Sequence, residues 1–131
     1  MKTVDVNGYD ELQSKLKTAD SDKNPIFVLF SGEKTADGQS WCPDCVKAGP
    51  IVDKSVESLL KDVDGIFVRC NVGKRDEWKD QSNRFRTDAA LKLTGVPTLI
   101  DWHQKSRRLV EEQLFNSDLI DMLFTDAIST V

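Results

Sequence analysis

Two cysteines separated by two residues stand in the run Trp41-Cys42-Pro43-Asp44-Cys45. Such a pair can exchange with disulfides or supply half of a tetrahedral metal site. Exchange needs one thiolate to attack and a second thiol near enough to resolve the mixed disulfide. The element that carries the pair therefore matters. Upstream, Ile26-Phe27-Val28-Leu29-Phe30 is an unbroken apolar run, as long as a strand buried on both faces. Downstream, Val46, Ile51, Val52, Val56, Leu59 and Leu60 recur at near-helical spacing. The pair is thus expected where a strand and a loop deliver the chain into a helix N-terminus. With Cys42 at the N-cap and Pro43 at the first helical position, the missing N–H of proline costs nothing and its fixed φ suits the turn. Cys45 then lies one turn on, on the same face and within disulfide reach. Free N–H groups and the helix dipole favour a thiolate on Cys42. Asp44 opposes that effect, and the sequence leaves the balance open.

Three function classes remain at this point. A dithiol oxidoreductase fits the strand–loop–helix context best. A zinc module would need two ligands beyond Cys42 and Cys45, and only Cys70 and His103 are available. Cys70 lies on or beside a strand and reads as a small buried hydrophobe, and His103 reads as a surface residue. No metal is expected. The third class is a binding module whose dithiol senses redox state without turnover.

Composition bounds these readings. The 131 residues fit one domain, 1–131, with a hydrophobic fraction of 39% and a charged fraction of 31%. A net charge of −4 argues against nucleic acid and anionic membranes as partners. No apolar run approaches a membrane span, and Met1-Lys2-Thr3-Val4-Asp5 opens no apolar signal core. Three cysteines make no disulfide scaffold, so a cytoplasmic compartment is expected. Nothing in the pattern demands a dimer, and a monomer is expected.

The elements that must position the pair follow in order. Thr3–Val6 alternates like a short strand, and Tyr9, Leu12, Leu16 and Ala19 mark one face of a helix. Strand 26–30 leads into Ser31–Ser40. That loop is not a phosphate-binding loop, because its glycines are too far apart and Gln39 replaces the lysine. The helix after Cys45 is expected to bend near Pro50 and to run to about Asp62. Ile66–Val72 is a strong strand. Residues 73–90 are dense in charge and read as a solvated helical excursion pinned by Trp78 and Phe85; a lip of the substrate site is the alternative. Ala89–Leu93 resembles a short helix closed by Gly95. Val96–Trp102 is a strand that Pro97 opens, and a cis Pro97 would expose the Val96 backbone for pairing with an extended substrate. Ser106–Glu111 is expected as a charged edge strand, and Asn116 or Ser117 caps a last helix. The order β-α-β-α-β-α-β-β-α implies an α/β fold with a mixed central sheet flanked by helices.

The strand–Trp-Cys-Pro-x-Cys–helix unit, Pro50 inside the helix and Gly95-Val96-Pro97-Thr98 before a later strand resemble a thioredoxin-like fold. The Trp41–Cys45 sequence, the longer loop Ser31–Ser40 and the charged segment before the proline strand resemble the thioredoxin domain-containing protein 17 family. The resemblance implies that Cys42 is the nucleophile and Cys45 the resolving thiol, and that Pro97 is cis. It implies no bound cofactor. Electrons would come from NADPH through thioredoxin reductase, and the disulfide partners would be cystine, selected protein disulfides and nitrosothiols. Trp41, Val96 and Pro97 are then expected to contact substrate, with Pro43 and Asp44 modulating the pair. Two departures from ordinary thioredoxin stand out: Leu29 occupies the position of its buried acid and cannot carry a proton, and Asp44 adds negative charge at the mouth. Asp44 and the flanking loops are expected to set substrate choice.

Overall fold

Ile26–Ser31 forms the middle strand of a five-stranded sheet, as its unbroken apolar run requires. The structure is a computed structural model and describes residues 1–129. Along the chain it comprises β1 (Lys2–Asn7), α1 (Tyr9–Lys15), β2 (Ile26–Ser31), α2 (Pro43–Leu59), β3 (Ile66–Asn71), α3 (Arg75–Lys79), α4 (Arg84–Thr87), β4 (Thr98–Asp101), β5 (Arg108–Val110) and α5 (Ser117–Ser129). The sheet order is β1-β3-β2-β4-β5. β1 and β2 both run parallel to β3, whereas β4 pairs antiparallel with β2 and with β5. This is the mixed sheet that the element order implies.

The two-residue period of β2 divides the core. Ile26, Val28 and Phe30 join one cluster, with Leu12 of α1 and with Trp78 and Phe85 of α3 and α4. Phe27 and Leu29 point the other way, into a cluster with Val52 of α2 and Ile120, Leu123 and Phe124 of α5. Asn116 caps α5, its side-chain oxygen accepting the N–H groups of Asp118 and Leu119. β5 is the sheet edge, as its charges foretold.

Several expectations need correction. The inward face of α2 is Cys45, Ala48, Val52 and Ser55, while Val46 and Leu59 are exposed. Val52 and Leu60 of the apolar pattern are buried and Ile51 and Val56 pack against the same core, so the pattern found the inner face but not its small members Ala48 and Ser55. The helix also ends at Leu59 instead of near Asp62, with Pro50 inside it. The expected helix at Ala89–Leu93 is a turn. There the Asp88 carboxylate accepts the N–H groups of Ala90 and Leu91, and Lys92 turns to φ 43°. Arg108 takes the Leu91 carbonyl at 2.6 Å, fixing this turn against the edge strand.

The charged excursion is a pair of short helices docked on the core. Trp78 and Phe85 are buried, and the Arg86 guanidinium lies 4.0 Å from the Trp78 ring centroid. Tyr9 clasps the segment from α1, its hydroxyl donating to Asp88 at 2.5 Å and its ring meeting Phe85 edge-on. That hydrogen bond is the leading cause raising the Tyr9 pKa. The pinned-excursion reading holds.

Candidate active site

Cys42 is the N-cap of α2 and Pro43 occupies its first turn. The extended backbone of Cys42 (φ −96°, ψ 107°) turns its sulfur back over the helix end. There Cys42 Sγ accepts the Cys45 N–H at 3.1 Å, in the place a serine or aspartate cap would take. Cys42 and Cys45 are disulfide-bonded, with Cα atoms 5.2 Å apart. Both are nearly closed off, at 5% and 6% exposure.

The rest of the loop is tied down around the pair. The Ser40 hydroxyl accepts the Cys42 N–H at 3.1 Å and donates to the Gly32 carbonyl at 2.8 Å. Trp41 donates its indole N–H to the Gly73 carbonyl at 2.9 Å. Its ring lies so close to Gly32 that a Cβ there would collide with the indole. Trp41 therefore joins the redox loop both to the end of β2 and to the segment that opens the charged excursion. Further out, Lys34 and Ser40 form a bridge across the loop, and Asp37 accepts from Thr35 and Gln39 at its tip. The Thr35 hydrogen bond is the first cause lowering the Asp37 pKa.

On the other side stands the Val96–Pro97 peptide, which is cis. The Val96 carbonyl oxygen lies 3.6 Å from Cys42 Sγ. Val96 thus meets Cys42 from 54 residues along the chain and Pro97 follows it in the cis bond, whereas Trp41, Pro43 and Asp44 adjoin the pair in sequence. Pro43 is exposed and Asp44 half-buried at the mouth. Behind the pair, a cleft of about 560 Å³ is lined by Cys45, Leu29, Asp53, Arg69 and Cys70 among others. Gly49, one turn beyond Cys45, leaves open space where a side chain would project. Leu29 is buried in the wall of this cleft, so no acid stands at that strand position. The nearest ion pair on the cleft is Asp53 with Arg69, at 2.6 Å.

Cys70 is the free cysteine of the described residues and is buried. Burial pushes its thiol up to about 12, with a smaller push from the Glu11 charge. The reduced native protein should therefore release two equivalents of thionitrobenzoate from Ellman's reagent at pH 8, from Cys42 and Cys45. A third equivalent should follow only on unfolding in guanidinium; three rapid equivalents in the native protein would contradict the burial of Cys70. His103 is exposed, with Nε2 2.8 Å from the Asn24 carbonyl oxygen. Among the described residues no group of three or more His, Cys, Asp or Glu side chains is placed to hold a metal ion.

What sequence reasoning missed are the residues that seat the motif, Ser40, Gly32 and Gly73, and a carboxylate beside Gly95, that of Glu111. A glycine just after a buried strand was the visible signal for Gly32. Nothing marked the others.

A mixed sheet with a Cys-x-x-Cys pair capping its first long helix, opposite a cis proline, defines a thioredoxin domain. Residues 5–126 match the family described as "Thioredoxin domain-containing protein 17-like, thioredoxin domain". Over 123 residues, 94% of each chain, the protein is 44% identical to Thioredoxin domain-containing protein 17 of Epinephelus coioides and 44% identical to that of Danio rerio. It is 38% identical to Thioredoxin-like protein Clot of Arabidopsis thaliana over 106 residues, 78% of each chain. The chain belongs to the thioredoxin domain-containing protein 17-like family. Among the described residues no helix is long and apolar enough to cross a membrane.

Proposed function

We propose that this protein is a thiol–disulfide oxidoreductase that reduces small disulfides such as cystine, together with selected protein disulfides and nitrosothiols. The observation that carries the reading is the placement of Cys42 Sγ, capped by the Cys45 N–H and facing the Val96 carbonyl. Negative charge on that sulfur would be met by the amide and by the helix N-terminus. The Cys42 thiolate attacks one substrate sulfur, the substrate S–S bond breaks, and the released thiolate takes a proton from solvent. Cys45 then gives up its proton and attacks the Cys42 sulfur, expelling the second substrate thiol and closing the Cys42–Cys45 disulfide. Two electrons pass to the substrate in this cycle. With Leu29 in place of an acid, the Cys45 proton leaves through the cleft that this thiol lines.

Substrate lies along the Val96–Pro97 edge, its backbone pairing with Val96 while Trp41 shapes the opposite rim. Pro43 sets the turn, and Asp44 modulates the charge at the mouth. No cofactor is bound; NADPH supplies electrons through thioredoxin reductase. The protein works as a monomer in the cytoplasm.

The test is NADPH consumption with thioredoxin reductase and cystine. Sustained consumption that depends on the protein supports the reading. A wild-type dithiol that oxidises and is reduced once, without steady consumption, would instead make the chain a redox-sensing module.

A further inference from the structure

Glu111 takes a backbone conformation that residues with side chains avoid, φ 54°, as it opens the 3-10 helix Glu111–Phe115 after β5. Glycine would adopt it freely, so the glutamate is held there at a cost in stability. Two contacts place it against the substrate edge. Its N–H donates to the Pro97 carbonyl at 2.7 Å. Its side chain packs over Gly95 so closely that a Cβ on Gly95 would overlap the carboxylate. Gly95 adjoins Val96, whose carbonyl faces Cys42 Sγ at 3.6 Å.

Beyond its packing on Gly95, the carboxylate has no polar partner among the described residues. The residue is exposed, and among the described residues its side chain forms no ion pair. Lys47, on α2, is instead stacked 4.2 Å from the Phe115 ring centroid. Glu112 beside it is also exposed and adds charge of the same sign. A strained backbone, a glycine kept bare beneath it and a free carboxylate converge a few residues from the reacting sulfur.

We propose that Glu111 is a specificity-determining residue, whose carboxylate receives a cationic group carried by the substrate next to its disulfide. The group is an ammonium or a guanidinium, as on an amino-acid disulfide or a peptide with lysine or arginine beside its cysteine. The proposal rests on the dithiol-exchange reading above. It adds to that reading a preference by charge, seated on β5's end instead of on the Cys-x-x-Cys motif.

The experiment follows oxidation of the reduced protein by two small disulfides, without any reductase. Cystamine carries an ammonium at each end and dithiodiglycolate a carboxylate. Wild type should favour cystamine, and the preference should shrink as salt rises. Glu111→Gln keeps the size and loses the charge; it should lower the cystamine-to-dithiodiglycolate rate ratio by about two- to five-fold, the range of an exposed ion pair. Glu111→Gly should lower the ratio similarly and also raise Tm, because glycine tolerates the positive φ. A ratio unchanged in Glu111→Gln, with both disulfides oxidising the wild type, overturns the proposal and leaves the exchange reading intact. A ratio changed in Glu111→Gly alone also overturns it, since backbone shape would then be the cause. If neither disulfide oxidises the wild-type dithiol, the exchange reading fails and the proposal falls with it.

Discussion

Cys42→Ser is expected to lower disulfide turnover by about three orders of magnitude or more, whereas Cys45→Ser should complete one attack and stop. The two outcomes differ because the two sulfurs stand in different places. A hydroxyl at the N-cap would still accept the Cys45 N–H, so Cys42→Ser should fold, but it supplies no nucleophile at neutral pH. In Cys45→Ser the backbone N–H that caps Cys42 Sγ survives, because it belongs to the main chain. Attack by Cys42 should therefore persist and the mixed disulfide accumulate, visible as an adduct in intact mass. Cys70 cannot rescue it, being buried with its thiol pushed up to about 12. Turnover within tenfold of wild type in Cys42→Ser would remove Cys42 as the nucleophile. Sustained turnover in Cys45→Ser would mean that an external thiol resolves the intermediate.

The parts of this site that lie close in sequence were legible before the structure. Cys42 at the N-cap, Pro43 in the first turn and Cys45 one turn on follow from a spacing of two and a proline. The strand 26–30 announced itself by bulk alone and extends by one residue to Ser31 in the structure, and Trp78 and Phe85 stood out as the large apolar residues in a charged stretch. The cis bond at Pro97 came from the family resemblance, since base rates for X-Pro bonds favour trans. What stayed hidden depends on partners distant in the chain. Gly73 receives the Trp41 indole, and no local pattern could connect residues so far apart. The 89–91 turn replaced a helix because Asp88 and Arg108 satisfy its backbone, and Arg108 belongs to the edge strand. The charges of 106–111 mark a blunted edge, and β5 is an edge strand. That reading has no place for Glu111, because a positive φ is a property of the folded backbone and glutamate does not advertise it.

Phe27→Ala is expected to cost roughly 3–5 kcal/mol of folding stability, a large share of the 5–15 kcal/mol of an ordinary domain. Phe27 is fully buried on the central strand, and its ring meets Phe124 of α5 edge-to-face with centroids 4.8 Å apart. Its backbone pairs with Phe67 on one side and Asp101 on the other, so the strand cannot shift to close the hole. The void would open where β2 meets α2 and α5, the helix pair that backs the cysteine motif. For a chain of this size the loss corresponds to a fall in Tm of about 10 °C or more. Met122→Ala is the matched control: Met122 is 58% exposed on α5, and its loss should stay within about 0.5 kcal/mol. Denaturant titrations of both variants should show an unchanged slope and a midpoint moved only in Phe27→Ala. A midpoint near wild type in Phe27→Ala would mean that this face of β2 is not the packed interior. Because that face anchors α2 from beneath, Phe27→Ala near its own Tm should also lose the Cys42 cap before the sheet melts, seen as loss of disulfide turnover below the global transition. Coincident loss of activity and structure would instead make the motif and the sheet one cooperative unit.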